Sequence, residues 1–221
     1  MEPVRVVAIA DSVFVLEGIT SLLGQSETCE VMSALLMTVG RWPLFYISPQ
    51  VILIATTTTP STTICRLIEE AKRRYPESAV LLVGVSQPAE VIAAYINAGL
   101  NGFVHHDLSP VQLTQAVLDV ARYGLILDAM FVPKLQQMLQ HDLDEAPLSS
   151  LTARELEIVR HAAKGRTNHE IAADLQVSVN TVKAHLRNAY EKLNVASRAE
   201  LAVLALSAGM KLSEGRVAYL V

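Results

Sequence analysis

The four-residue pattern Thr/Ser-x-x-Glu occurs three times in the last third of the chain, at 152–155, 167–170 and 197–200. In such a capping box the hydroxyl accepts a hydrogen bond from the backbone amide three residues later, and the glutamate accepts one from the amide of the first residue. Each box therefore marks the start of a helix. Ser178 is a fourth candidate cap, and Gly165 lies where a left-handed residue would end a helix.

These signals predict four helices, at about 153–164, 168–175, 179–193 and 198–208, with a three-residue connection between the second and the third. Two helices joined by so tight a turn form a helix-turn-helix, whose second helix enters the major groove of DNA. We assign this motif to residues 168–187. The sequence thus predicts an all-α, four-helix unit that reads duplex DNA.

The third predicted helix has two chemically different faces at 3.6 residues per turn. The apolar face, which predicts a core contact, comprises Val182, Leu186, Ala189 and Leu193. The opposite face carries Asn180, Lys183, Ala184, Arg187 and Glu191. Lysine and arginine donate to guanine or phosphate, asparagine to adenine or phosphate, and alanine permits close approach to a base. A solvated face is the alternative, but the capping boxes and the tight turn favour DNA contact.

Four further residues complete the predicted DNA-binding set. Thr181 and His185 lie beside the polar face of the third helix. The backbone amides of Thr167 and Asn168, at the start of the second helix, suit a backbone phosphate because amides at a helix N-terminus attract anions.

Charge is distributed unevenly along the chain, whose formal net charge is −4. Residues 1–148 hold 8 Lys+Arg and 15 Asp+Glu, a balance of −7, whereas residues 149–212 hold 9 and 6, a balance of +3. Phosphate contacts need a positive local field. The modest excess supports DNA binding by the C-terminal unit but does not decide it.

The first half of the chain alternates short apolar runs with amphipathic stretches. This alternation predicts a parallel sheet covered by helices on both faces. Five strands are predicted at about 4–10, 30–36, 51–55, 79–85 and 102–105. Helices are predicted at about 13–23, 61–75, 89–98 and 109–123.

A polar, acidic run ending in Pro147 separates the two halves. Such composition is typical of a linker. We therefore predict a first domain at 1–124, a helix (about 132–140) and linker within 125–147, a DNA-binding domain at 148–212 and a tail at 213–221. The N-terminus runs directly into a strand-like segment without a leader, and no apolar run reaches membrane-span length. These features predict a cytoplasmic protein without a membrane partner.

The reactive side chains do not suggest catalysis or a cofactor. Cys29 and Cys65 lack the spacing of a zinc site or a disulfide framework, so idle thiols are favoured over a redox sensor. His105 and His106 are adjacent on a predicted strand, where neighbouring side chains point to opposite faces. This alternation favours loop-edge histidines over a shared metal site or a pH sensor. No phosphate-binding loop or nucleophile–base pair is evident, so neither an enzyme, a metal nor a cofactor is predicted.

Residues of about 149–210 closely resemble the LuxR-type (NarL/FixJ) DNA-binding domains. The matching segments are LTARE at 151–155, NHEIA at 168–172, TVKAH at 181–185 and KLNVASRAE at 192–200. The resemblance implies that the third helix enters the major groove with Lys183, Ala184 and Arg187 facing the bases. It also implies a dimer contact on the fourth helix, through Leu201, Leu204, Ala205 and Ala208. That stripe fits an ordinary core contact equally well.

Residues of about 4–124 resemble the receiver domain of two-component response regulators. The resemblance is carried by the run from Val6 to Asp11 with Glu17-Gly18, and by Ala98-Gly99 followed by Gly102-Phe103 and His106-Asp107. It implies a doubly wound, flavodoxin-like α/β fold with a five-stranded parallel sheet in the order 2-1-3-4-5.

A working receiver has an acidic pair that holds Mg²⁺, an aspartate that accepts the phosphoryl group, a Ser/Thr and a Lys. The corresponding positions here are Ala10 with Asp11, then Ala55 or Thr56, then Gly84 and His106. One carboxylate is a weak anchor for Mg²⁺, and a threonine hydroxyl does not replace a carboxylate nucleophile. We therefore predict a degenerate phosphoacceptor pocket that is not phosphorylated by a histidine kinase phosphodonor. The run from Thr56 to Thr59 is predicted to be a polar loop rather than a kinase site.

Together these features predict a bacterial, sequence-specific transcription regulator that acts independently of phosphorylation. Its pseudo-receiver would serve for dimerisation or for binding a partner or a small ligand. A homodimer on two-fold-related half-sites of promoter DNA is expected. The alternative is an interaction protein that sequesters other regulators through the receiver-like face, with DNA binding secondary.

Overall fold

The computed structural model describes residues 2–37, 46–124, 126–127, 147–163, 166–195 and 198–207. The predicted helix at about 132–140, the linker up to residue 146 and the tail lie outside the described residues. Gly165, Ser197 of the third capping box and Ala208 of the predicted dimer stripe also lie outside them.

A parallel sheet forms the centre of the first half. Its strands are β1 (Val4–Ala10), β2 (Cys29–Leu36), β3 (Val51–Thr56), β4 (Ala79–Gly84), β5 (Gly102–His105) and β6 (Ile126–Leu127). They lie in the order β2-β1-β3-β4-β5-β6, and every pairing is parallel. The predicted order of the first five strands is therefore confirmed. The edge strand β6 was not predicted, because two residues are too short to show a periodic pattern.

Helices cover both faces of this sheet. They are α1 (Val13–Gly24), α2 (Ser61–Arg74), α3 (Ala89–Asn97) and α4 (Pro110–Tyr123). Successive strand residues point to opposite faces, so Ile52 and Ile54 pack with α2 and α3, whereas Leu53 and Ala55 pack with α1 and α4. The central strands are consequently apolar throughout, which is the pattern of a doubly wound sheet.

The C-terminal unit consists of four helices after a short 3-10 turn at Pro147–Ser150. The helices are α5 (Ala153–Ala163), α6 (Asn168–Asp174), α7 (Val179–Leu193) and α8 (Arg198–Ser207). All four predicted helices are confirmed, with boundaries that differ by no more than one residue at the described positions. Among the described helices, none is both long enough and apolar enough to cross a membrane.

Candidate nucleic-acid interface

Two of the three predicted capping boxes form in full. The amide of Thr152 donates to Glu155 Oε2 at 2.8 Å, and the amide of Glu155 donates to Thr152 Oγ1 at 3.3 Å. At the start of α6, the amide of Thr167 donates to Glu170 Oε2 at 2.8 Å, and the amide of Glu170 donates to Thr167 Oγ1 at 3.1 Å. Four backbone amides at helix starts thereby gain partners that the helices themselves cannot supply.

Glu155 also connects the first helix of the unit to the end of α7. Lys192 Nζ donates to Glu155 Oε2 at 2.7 Å, and the glutamate is almost fully buried. The hydrogen bond from Lys192, followed by the one from the Thr152 amide, lowers the pKa of Glu155 to about 2. The ionised carboxylate therefore fixes α7 relative to α5 at ordinary pH.

The turn between α6 and α7 spans residues 175–178, one residue more than predicted, because α6 ends at Asp174. Gln176 adopts a left-handed conformation with φ of 53°. Ser178 Oγ accepts a hydrogen bond from the amide of Thr181 at 3.0 Å, as predicted for a cap. The turn thus orients α7 across α6 in the helix-turn-helix manner.

The two faces of α7 divide as the sequence predicted. Its buried residues are Val182, Leu186, Ala189 and Leu193. Its exposed polar face presents Asn180, Lys183, Ala184, Arg187 and Glu191 to the surface. Thr181 and His185 are half-buried at the border, and Thr167 and Asn168 are half-buried at the start of α6. The structure therefore collects the six predicted residues of α7 on and beside one helix surface, with two cations at its centre, whereas Thr167 and Asn168 lie on a different helix.

The receiver-like half contacts this surface directly. Lys183 Nζ donates a hydrogen bond to Glu77 Oε2 at 2.8 Å. Glu77 lies in the segment that connects α2 to β4, 106 residues earlier in the chain. Next to this ion pair, Leu186 and Tyr190 line a cleft of about 590 Å³ together with Lys72 and other residues of the first half. Glu77 was missed by the sequence analysis, since no local pattern links it to α7.

Asp11 takes the centre of the pocket at the carboxyl ends of β1 and β3. Its Oδ2 accepts hydrogen bonds from Thr56 Oγ1 at 2.8 Å, from the amide of Thr57 at 3.0 Å and from the amide of Thr58 at 3.2 Å. The hydroxyls of Thr58 and Thr59 add two longer contacts at 3.3 Å. Burial raises the pKa of Asp11, but these hydrogen bonds, first that of Thr56, outweigh it and hold the pKa below its ordinary value.

Of the two candidate acceptor positions, this network involves Thr56 and not Ala55. Ala55 pairs with Ala10 in the sheet and is buried toward α1 and α4, whereas the Thr56 side chain reaches Asp11. The threonine run is thus a loop that wraps one carboxylate, in line with the predicted polar loop. The chain's own hydrogen-bond donors surround the one carboxylate that the sequence retains at the positions of the acidic pair and the acceptor.

Comparison with known proteins places the chain in a family. Residues 149–205 match the GerE family, described as bacterial regulatory proteins of the luxR family. The probable transcriptional regulatory protein SgaR of Hyphomicrobium methylovorum is 35% identical over 159 residues, which cover 72% of this chain and 72% of that protein. The chain belongs to the LuxR-type (NarL/FixJ) family of response regulators. It is accordingly a DNA-binding transcription regulator and not an enzyme.

Other members of the family match shorter or longer parts of this response regulator. The nitrate/nitrite response regulator NarP of Escherichia coli is 33% identical over 127 residues, which are 58% of this chain and 59% of NarP. The oxygen regulatory protein NreC of Staphylococcus epidermidis is 28% identical over 210 residues, 91% of this chain and 96% of NreC. A solved structure of the RcsB response regulator of Salmonella typhimurium, 21% identical, superposes with a TM-score of 0.50 over 95% of this chain and 100% of RcsB. This last similarity concerns the fold.

In the fourth helix of this response regulator, the described residues of the predicted dimer stripe are buried within the chain. Leu201 and Leu204 belong to the core of the C-terminal unit, and Ala205 is also buried. Ala202, on the same helix, packs into the core beneath α2 and α3 of the receiver-like half. The structure therefore supports the core alternative for the described part of α8.

The remaining two pocket positions of the receiver, Gly84 and His106, lie in contact with each other. Gly84, at the hydroxyl position, lies where an added Cβ would approach the carbonyl oxygen of Thr56 to 3.2 Å. The backbone amide of His106, at the lysine position, donates to the carbonyl of Gly84 at 2.9 Å. Phe103 is buried beside this glycine. A serine or threonine at position 84 would require the Thr56 carbonyl, at the end of β3, to shift by a few tenths of an ångström.

The predicted divergence of the two histidines is wrong. β5 ends at His105, so His106 is no longer part of the alternating strand. Their ring centroids lie 4.5 Å apart. His105 Nδ1 lies 3.4 Å from Asp107 Oδ2, and His106 Nε2 lies 3.3 Å from Asp107 Oδ1. The structure therefore gathers three potential ligand groups that the sequence analysis had separated.

Proposed function

We propose that this regulator binds promoter DNA through the outer face of α7 and that its receiver controls access to this face without being phosphorylated. The observation that carries the proposal is the ion pair between Lys183, on the DNA-facing surface, and Glu77 of the receiver. A lysine held by a carboxylate cannot at the same time neutralise a DNA phosphate. The two halves must therefore separate, at least locally, before DNA is bound.

The hydrogen bonds around Asp11 support phosphorylation independence. Mg²⁺ would compete with the donors of Thr56, Thr57 and Thr58 for Asp11 Oδ2, which leaves it the other oxygen of this carboxylate. A single carboxylate offers little in return, because Mg²⁺ keeps a demanding octahedral shell. The hydrogen bonds from the threonine loop thus stabilise the negative charge of Asp11 without a metal ion.

Homodimerisation also remains a proposal, and exposed apolar residues support it. Phe14 and Val13 in the first turn of α1 are 89% and 53% exposed, and Val111 in the first turn of α4 is 78% exposed. Large apolar side chains that are this exposed are candidates for a contact surface. Native mass measured at several concentrations, for the wild type and Phe14→Asp, tests this; a concentration-independent monomer would exclude it. Binding of a protein partner or small ligand by the receiver stays a prediction.

Glu77→Gln tests the proposed control. We expect the variant to bind DNA about two- to fivefold more tightly than the wild type, since both side chains of the pair are partly exposed and such pairs contribute less than about 1 kcal/mol. The probe is a duplex enriched from a random-sequence library with the wild-type chain, and affinity is measured by fluorescence anisotropy at constant salt.

Glu30→Gln is the matched control, because it removes the same charge from an exposed position on the edge strand β2. The control reports how much DNA affinity rises merely because the chain becomes less acidic. Equal gains for the two variants would show that the contact with Lys183 does not restrain α7.

A further inference from the structure

The segment that follows β5 holds a compact group of metal-binding side chains. His105, His106 and Asp107 each offer a ligand atom, and all three atoms lie within 4.8 Å of one another. We propose that these residues form a binding site for a divalent transition-metal ion of the Zn²⁺ type. The proposal is independent of how the protein recognises DNA.

The ligand atoms lie within 4.8 Å of one another, somewhat wider than the spacing of one coordination sphere. Zn²⁺ binds imidazole nitrogen and carboxylate oxygen at about 2.0–2.2 Å in tetrahedral geometry, so two ligand atoms are separated by roughly 3.3 Å. The nitrogens of His105 and His106 lie 3.4 Å and 3.3 Å from the two carboxylate oxygens of Asp107. Because the two nitrogens face different oxygens of Asp107, an ion would bind through rotation of the two imidazole rings, whose planes are inclined by 53°, and of the carboxylate.

The backbone holds two of the ligands in place. His105 pairs with Gly84 in the sheet, and the amide of His106 donates to the Gly84 carbonyl. Asp107 is tied to the same segment, since its amide donates to His105 Nδ1 at 3.4 Å, a long hydrogen bond that an ion would readily replace. Ligands attached to an ordered strand end lose little conformational entropy on binding.

The surroundings allow an ion to enter. The side chains of His105, His106 and Asp107 are 28%, 41% and 76% exposed. Among the described residues, no lysine or arginine forms an ion pair with Asp107, so neither type of side chain competes with an ion for this carboxylate. Three protein ligands leave room for water at the remaining position, which is the arrangement of an open site.

The ligand set selects the class of metal. Imidazole favours Zn²⁺, Co²⁺, Ni²⁺ and Cu²⁺ over Mg²⁺ and Ca²⁺, which prefer sites made of oxygen alone. The site is therefore distinct from the Mg²⁺ site of a working receiver. It lies at the position of the receiver lysine, where the family resemblance predicts no metal.

The experiment uses the untagged, full-length chain with Zn²⁺ in calorimetry and Co²⁺ in absorption spectroscopy. We expect one ion per chain and visible Co²⁺ bands of nitrogen and oxygen ligation. His106→Gln and Asp107→Asn should each weaken binding by more than about tenfold, while circular dichroism stays unchanged because both side chains are exposed. His169→Gln, which removes an exposed histidine from α6, should bind as the wild type does.

Four results would overturn the proposal. Three of these are the absence of stoichiometric binding to the wild type, binding that survives both ligand substitutions, and a sulfur-to-cobalt charge-transfer band. The band would assign the ion to Cys29 or Cys65 instead. Equal weakening by His169→Gln would likewise locate the site in the C-terminal unit.

Discussion

A chain that carries Lys183→Ala and Arg187→Ala is expected to lose sequence-specific DNA binding while remaining folded. Both side chains are exposed on α7, so their removal leaves the helix core of Val182 and Leu186 intact. A good contact from a cationic side chain to a base is worth about 1–3 kcal/mol. Loss of two such contacts weakens binding by roughly 30-fold to 10⁴-fold, since each 1.4 kcal/mol is about a factor of ten.

Arg160→Ala is the matched control for this double variant. Arg160 is an exposed cation on α5 of the same unit and lies outside the α7 surface. Affinity is measured on the enriched duplex and on a scrambled duplex of equal length. Two outcomes would show that α7 is not the helix that reads DNA: the double variant keeps its preference for the enriched duplex, or Arg160→Ala loses as much affinity as the double variant does. Either outcome would support the alternative of an interaction protein.

The second large effect concerns phosphorylation. Incubation with acetyl phosphate or phosphoramidate and Mg²⁺ is expected to give no phosphorylated chain by intact mass, and DNA affinity is expected to stay unchanged. The physical reason is that Thr56 supplies a hydroxyl where the acceptor carboxylate is needed, and that Asp11 is already hydrogen-bonded to the loop.

A response regulator with an intact acidic pocket serves as the positive control in the same reaction. A hydroxylamine-labile adduct on this chain would contradict the prediction, because that lability identifies a phosphorylated carboxylate. A stable adduct within the run from Thr56 to Thr59 would contradict it as well, and would show that Asp11 activates a threonine hydroxyl.

Local chemistry explains why the helices and strands were predictable. Thr152 with Glu155 and Thr167 with Glu170 mark their helix starts through hydrogen bonds confined to four residues. Apart from Thr56 at the end of β3, the strands β3 and β4 are apolar because helices cover both of their faces. In each case the determining interaction lies within the segment or follows directly from its hydrophobicity.

The features that were missed depend on distant or irregular contacts. Glu77 contacts Lys183 only because the two halves pack against each other, and no sequence pattern in either segment predicts this ion pair. The predicted strand ends at His105, as β5 does, so the error lies in applying the alternation of strand side chains to His106, which follows the strand. The alternation rule holds only as far as the strand does.

The most direct test of the account attaches a DNA-cleaving iron chelate to α7. Ala184→Cys, in a Cys65→Ser background, presents the chelate from the centre of the proposed reading face, and Cys29 is buried. We predict strand cleavage confined to a few base pairs within each bound site, offset as expected for a probe in the major groove. Absence of localised cleavage, or the same pattern from a chelate at Glu30→Cys on the receiver, would contradict DNA reading by α7.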